Sequence, residues 1–452
     1  MLIVHGRVAT LGPSPQVIEG GAIYVEGDRI AAVGSSAELI ARYPNAEILD
    51  ARGQLVLPGN ICAHTHFYGA FARGMSIPGA PARNFVEILQ KLWWRLDRAL
   101  DEDGVRYSAL VCLADAIRHG TTTLIDHHAS PSFIDGSLDV IAGEAARSGL
   151  RVCECYEVTD RNGSDSAKAG IAENVRFAKS LRDRDKPLLA ASFGLHASFT
   201  VGDETLERCV AEAQALGIGF HVHVAEDAAD EVDSERKFGA RVVERFESRG
   251  ALGERTLSAH CVHVSDAEIG LLARTQAKVS HQPRSNMNNA VGAAPVQRML
   301  EAGVCVGLGN DGFSNNMFAE MKAAYLVHKA TLGDPRAMPS DAVMRLAYEN
   351  NARIASLFWP HPIGQLTPGA YADIILLDYF PYTPLTAGNL PWQIAFGVDG
   401  SHVTTTIAGG SVLMRDRRLL TLDEEAIAAK AREHAPRIWQ RFEEIALREE
   451  QS

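Results

Sequence analysis

The stretch Leu57-Pro58-Gly59-Asn60-Ile61-Cys62-Ala63-His64-Thr65-His66 decides how the rest of the chain is read. It carries an apolar strand into two imidazoles one residue apart, and in a strand the side chains i and i+2 share a face. His64 and His66 therefore point into one pocket, where two neutral imidazoles can grip a borderline metal such as zinc. Alone, a His-x-His pair is more often packed or surface histidine. Its meaning depends on whether later strands supply further ligands.

The chain has 452 residues, enough for one large α/β barrel with an appendage. Apolar residues make up 46% and charged residues 22%, a globular composition with ample core. The net charge of −12, unbroken by any basic cluster, argues against a nucleic-acid partner and for a small-molecule substrate. Seven cysteines without zinc-type pairing read as reduced thiols. The opening residues lack a signal-peptide pattern and no apolar run reaches membrane-spanning length, so a cytoplasmic protein with no membrane partner is expected.

Working outward, residues 2–8, 22–26, 29–33 and 47–50 alternate as short strands, with Gly27 and Asp28 as a hairpin turn. These are too few to bury a sheet face. The same pattern returns at 372–378, 403–408 and 411–414, with Gly409 and Gly410 between the last two. The simplest arrangement is a small β-sandwich domain formed from both chain ends, residues 1–57 and 364–420. Between them, residues 58–363 alternate apolar strands (122–125, 150–156, 188–193, 219–224, 256–260, 278–280, 304–308) with amphipathic helix-length segments such as 103–118, 204–216, 239–249 and 266–274. With the strand at Leu57 this gives the strand count of a (β/α)8 TIM-like barrel. A helical tail, 421–452, packs outside or joins a subunit contact. A long helix at 84–100 carries Trp93 and Trp94, which cannot face one direction.

A barrel places its chemistry where strands end, and chemically active residues cluster there. His221, His223 and Glu226 follow or end one strand, His260 ends another, and Asp311 follows a third. Each has a bland alternative. His221 and His223 share a strand face, so either could be the ligand, and Glu226 could simply begin a solvated helix. Gly307-Leu308-Gly309-Asn310-Asp311-Gly312 spells the dinucleotide fingerprint, but the required second strand with an acidic end is missing, and residues 317–329 look helical. The nucleotide reading is rejected.

These residues carry a resemblance. Leu57-Pro58-Gly59 with His64 and His66, His223 with Glu226, His260 before Cys261-Val262-His263, and Asp311-Gly312 resemble the amidohydrolase superfamily, in its cytosine deaminase, guanine deaminase and chlorohydrolase branch. Within it, the runs 92–100 and 123–130 are similar to the aminohydrolases called SsnA. The resemblance implies a metal-dependent hydrolase acting on carbon–nitrogen bonds other than peptide bonds, deaminating a purine-, pterin- or pyrimidine-like ring. The alternatives are ring opening of a cyclic amide, as in imidazolonepropionase-like relatives, or a non-catalytic scaffold. By the same resemblance His64, His66, His223 and Asp311 hold the metal, Glu226 is the acid/base, His260 contacts the bound water, and His196 and Asn286 face substrate. No lysine lies between Ala190 and Thr200 to bridge a second metal, so one divalent ion is expected, zinc foremost, with iron or manganese as alternatives. Such an ion lowers the pKa of bound water from about 15.7 toward about 7. Trp94 and Arg284 are further expected substrate contacts, Asp126, His127 and His128 are left without an assigned role, and a homodimer is expected.

Overall fold

The computed structural model describes residues 1–182 and 187–451, so the last position of the expected tail, Ser452, lies outside the described residues. Among the described residues the strands form three sheets. The largest is a nine-stranded mixed sheet drawn from both chain ends. Its junction is Leu55–Pro58, which pairs in parallel with Leu2–Ala9 on one side and antiparallel with Ile374–Leu377 on the other. Both predicted hairpins are present: Glu26 pairs with Arg29 around Gly27-Asp28, and Ala408 with Ser411 around Gly409-Gly410. Separate apolar clusters cover its two faces, one around Ile3, Ile23 and Ile407, the other around Leu2, Val4 and Leu39.

The opening stretch, expected as one strand, is two. Leu55–Pro58 belongs to the mixed sheet and Asn60–Thr65 starts a parallel sheet, with the handover at Gly59. A Cβ there would lie 2.2 Å from Thr122 Oγ1, so only glycine lets the two strands approach at the turn.

The parallel strands form a four-stranded sheet (Asn60–Thr65, Thr121–Asp126, Arg151–Glu154, Leu189–Ala191) and a five-stranded one (Phe193–Ala197, Phe220–Val224, Leu257–His260, Lys278–His281, Cys305–Leu308). Leu189–Ala191 and Phe193–Ala197 are one run of chain interrupted at Ser192, longer than the expected 188–193. Isolated parallel bridges join Val158 to Leu195 and Thr65 to Asp311, linking the sheets at both margins. The result is a TIM-barrel-like α/β fold. The expected tryptophan helix is broken into Phe85–Ile88, a π-helical turn Leu89–Trp93, and Trp94–Ala99, and Asn84 caps its start. The tail helix Glu424–Glu450 lies on the outside, burying Ile438, Phe442 and Ala446 and donating Trp439 Nε1–H to Phe71 O at 2.9 Å. Among the described residues no helix is long and apolar enough to cross a membrane.

Candidate active site

Strand ends deliver the side chains. His64 lies on Asn60–Thr65, His66 just past it, His223 on Phe220–Val224, His260 at the end of Leu257–His260, and Asp311 beyond Cys305–Leu308. The backbone turns left-handed at three of these exits: Ala225 at φ 46°, His260 at 71° and Asp311 at 58°. Such conformations are costly for residues with a Cβ and mark places where surrounding structure dictates the direction of a side chain. Gly309 shows the same constraint: a Cβ would stand 2.6 Å from His64 O and 2.7 Å from His64 N. This glycine in the fingerprint-like run therefore serves close packing against the first parallel strand.

Three imidazoles are held in place through their outer nitrogens. His66 Nδ1–H donates to His127 O at 2.6 Å, and His223 Nδ1–H to His196 O at 2.8 Å. His64 Nδ1 lies 2.8 Å from His221 Nε2, so His221 sits behind His64 as its partner, while His223 lines the cavity. All three rings then turn Nε2 inward. His66 Nε2 is 3.1 Å from His223 Nε2 and 3.0 Å from Asp311 Oδ1, which is 3.5 Å from His64 Nε2. His64 Nε2 is buried with no hydrogen-bond partner. Burial holds the His64 pKa down to about 3 and His223 well below the usual range. At His66 burial works in the same direction, but the Asp311 carboxylate outweighs it and lifts the group to about 9. A cation is thus favoured beside Asp311, and His64, His66 and Asp311, with His64 and His223 shared by a second close set and His66 and His223 by a third, offer donors that fit a divalent metal.

Glu226, His260 and Asp311 also bring ligand-type atoms within 4.8 Å of one another. His260 Nδ1–H donates to Asn286 Oδ1 at 2.8 Å, leaving a buried, unpartnered Nε2 that lies 3.4 Å from Glu226 Oε2. Burial, and then repulsion from Asp311, push the Glu226 carboxyl well above the usual range, which favours a proton carrier. Ser285 Oγ and Asp311 Oδ2 are hydrogen-bonded, and Asn289 Nδ2 donates to Glu226 Oε1 at 3.2 Å.

The cavity beside these groups encloses about 680 Å³ including its open mouth. His196 lines it, as expected, but three other expected contacts are placed differently. Arg284 is turned away: its Nε–H donates to the buried Glu320 at 2.5 Å and its Nη2–H to Ser314 O at 2.7 Å, so its charge is already neutralised outside the cavity. Trp93, not Trp94, lines the cavity; Trp94 packs under Arg161, 5.3 Å from the ring centroid to the guanidinium carbon. Asn286 reaches the site only through His260, and the lining asparagine is Asn289. His127 and His128 are buried, the first 3.3 Å from Glu157, the second 2.8 Å from Ser130 Oγ. Asp126 accepts Phe67 N–H at 2.7 Å. Sequence reasoning missed Glu157 and Tyr68, which both line the cavity. Glu157 follows the third parallel strand, and the rule that singled out Glu226 and Asp311 would have found it.

Residues 55–413 match the amidohydrolase family. The chain belongs to that family. A further match, residues 21–46, is to an imidazolonepropionase-like composite domain of bacteria, within the mixed sheet. This amidohydrolase is 32% identical over 440 residues to a 5'-deoxyadenosine deaminase of Methanosarcina mazei, covering 96% of this chain and 97% of the relative. It is 31% identical over 443 residues to a 5-methylthioadenosine/S-adenosylhomocysteine deaminase of Pelotomaculum thermopropionicum, covering 97% and 98%. A zinc-bound adenosine deaminase from Xanthomonas campestris superposes with a TM-score of 0.85 at 27% identity, covering 97% of this chain and 98% of that one. The amidohydrolase is a metal-dependent hydrolase of carbon–nitrogen bonds other than peptide bonds, in the deaminase branch that its motifs resemble.

Proposed function

We propose that the amidohydrolase replaces the amino group of a purine-, pterin- or pyrimidine-like ring by oxygen, with adenosine-type compounds the first to test, using one zinc ion held by His64, His66, His223 and Asp311. The observation that carries this reading is that His66 Nε2 stands 3.1 Å from His223 Nε2 and 3.0 Å from Asp311 Oδ1, with His64 Nε2 3.5 Å from the same oxygen, beside the raised Glu226 carboxyl. When bound, zinc supplies Lewis-acid activation of water. Asp311 accepts the proton that water gives up as it attacks the amino-bearing carbon. Glu226 places its proton on the adjacent ring nitrogen, takes up the hydroxyl proton of the adduct and passes it to the departing amine, and regains a proton from Asp311, so that water and the amino compound become the oxo compound and ammonia. His260, oriented by Asn286, offers its bare Nε2 to align the attacking water.

We also read the two parallel sheets as one closed barrel of residues 58–363, which the Val158–Leu195 and Thr65–Asp311 bridges support. The mixed sheet, with a core on each face, is read as the sandwich of 1–57 and 364–420, and the last segment, 421–452, as a separate tail. A homodimer is expected, supported by exposed Trp392 and Phe396 beside Tyr325, and light scattering tests it.

The test is product analysis on purified zinc-loaded protein with aminopurine nucleosides, aminopterins and aminopyrimidines. Ammonia appearing while the ring chromophore is kept supports deamination; loss of the ring chromophore without free ammonia would replace it with cyclic-amide hydrolysis.

A further inference from the structure

The net charge of −12 is not spread evenly over the folded chain. Four arginines, Arg98, Arg161, Arg441 and Arg448, line one cleft beside the tail helix, and among the described residues Glu444 is the one acidic lining residue. The cleft encloses about 1190 Å³ including open solvent, and among the described residues it shares no lining residue with the catalytic cavity. Three parts of the chain build it. Arg441, Glu444 and Arg448, three or four residues apart, share one face of the helix Glu424–Glu450. Arg98 lies on Trp94–Ala99, Arg161 and Asn162 lie between the strand Arg151–Glu154 and the helix Ser164–Arg182, and Ser166 lies in the first turn of that helix.

Carboxylates behind the lining hold three of the guanidiniums without using them up. Arg98 donates through Nε to Trp94 O at 2.5 Å and through Nη2 to Glu449. Arg441 meets Asp101 through Nη1 at 2.8 Å. Arg161 pairs through Nη2 with Asp97, and Glu157 lies 3.3 Å from the same nitrogen. A guanidinium carries five N–H donors, so each of the three keeps some to spare. Arg161 shows it most clearly: its side chain is only 9% exposed, yet its Nε is buried with no hydrogen-bond partner. Asn162 Nδ2 is likewise buried and unpartnered. Arg448 is exposed and, among the described residues, has no hydrogen bond or ion pair. Buried donors left unmatched are costly, and two of them beside an unpaired cation call for an acceptor that the chain does not provide. The start of Ser164–Arg182, a helix of 19 residues, adds backbone N–H groups and the positive end of its dipole.

We infer that this cleft is a binding site for a phosphate group, free or as a monoester, held by Arg161, Arg441 and Arg448 with Asn162 and Ser166. Donors reach the cleft from separate elements. That suits a tetrahedral oxyanion, with acceptors in several directions, better than a planar carboxylate, which one guanidinium fork satisfies. The width of the cleft leaves room beside the phosphate for an organic group. Arg161 joins this site to the catalytic cavity, because the same guanidinium meets Glu157, which lines that cavity. The site stands whether or not the enzyme is a deaminase.

The test is calorimetric titration of the zinc-loaded protein with inorganic phosphate, ribose 5-phosphate and, as the uncharged control, ribose, at fixed ionic strength in chloride, for wild type, Arg448→Ala, Ser166→Asp and Arg161→Lys. Wild type should bind the two phosphates and not ribose. Arg448→Ala and Ser166→Asp should each weaken phosphate binding by about 10-fold, the worth of one charge-assisted hydrogen bond lost or one like charge added. Arg448 has no partner to lose, and aspartate in a first helical turn suits the dipole, so both variants should fold. Arg161→Lys removes Nε and the planar fork and should weaken binding by about 10- to 100-fold; if that buried change unfolds the chain, the other two variants decide. Ribose 5-phosphate binding tighter than inorganic phosphate assigns the site to a phosphate monoester, and equal or weaker binding of the ester assigns it to the free ion. Phosphates binding no better than ribose, or phosphate binding that Arg448→Ala and Ser166→Asp leave unchanged, as an ion on the zinc would be, overturns the inference.

Discussion

Glu226→Gln removes one proton carrier while keeping the shape of the site. The wild-type carboxylate accepts from Asn289 at 3.2 Å through Oε1 and faces the bare His260 Nε2 at 3.4 Å through Oε2. A glutamine keeps the first bond through its carbonyl and can donate an amide N–H to His260. It also removes a buried acid that Asp311 repels. Stability should therefore stay within about 1 kcal/mol of wild type, the size of one exchanged hydrogen bond. Turnover should not survive the change. Proton transfer by a positioned side chain contributes about 10²- to 10⁴-fold, or about 3–5 kcal/mol of barrier, and the substitution should lower kcat by that much. The assay is steady-state ammonia release on protein whose zinc content and melting temperature are measured in the same preparation. A kcat within a few-fold of wild type, with zinc retained, would refute the acid/base assignment.

Other consequences follow from specific contacts. Gly309→Ala drives a Cβ against the backbone of His64 at 2.6 Å, so zinc affinity should fall by about 10- to 100-fold, read by competition with a chelating dye. Arg284→Ala leaves buried Glu320 without its guanidinium and should cost about 3–5 kcal/mol in chemical denaturation, with substrate preference unchanged. Burial, only partly offset by Arg284, already raises Glu320 to about 7; this contribution to stability is full below the unfolded carboxylate range and is lost as pH rises through about 7. In the variant that loss continues to higher pH, so the gap to wild type should widen above about pH 7 and not below it. Trp93→Phe should raise KM, because Trp93 lines the cavity. Trp94→Phe should instead lower stability by about 0.5–2 kcal/mol through the weakened stack under Arg161.

Much of the fold was legible because it is written in short-range patterns. Alternation marked the hairpins at Gly27-Asp28 and Gly409-Gly410, and helical periodicity placed Asp266–Thr275 and Asp203–Leu216 within a residue or so at each end. What local pattern cannot show is which sheet a strand joins. Leu57 reads as continuous with His64, yet a close contact between Gly59 and Thr122, distant in sequence, divides them. The metal-type residues were legible because imidazoles and carboxylates stand out at strand ends. Arg284 misled because a cation in the sequence carries no sign that Glu320, on a later helix, neutralises it. Trp93 and Trp94 could not be told apart until the π-helical turn at Leu89–Trp93 set their directions. Glu157 lay within reach of the strand-end rule, but its contacts with Arg161, His127 and His196, which reach it from separate elements, were not legible.

The most direct measurement is a zinc titration of metal-free protein, following ammonia release from an adenosine-type substrate. Activity should rise linearly and break at one zinc per chain, and it should be absent in His66→Ala and Asp311→Asn at the same zinc occupancy range. Full ammonia release without any metal, or zinc binding at one equivalent that never brings ammonia release from any amino-substituted ring, would contradict the account.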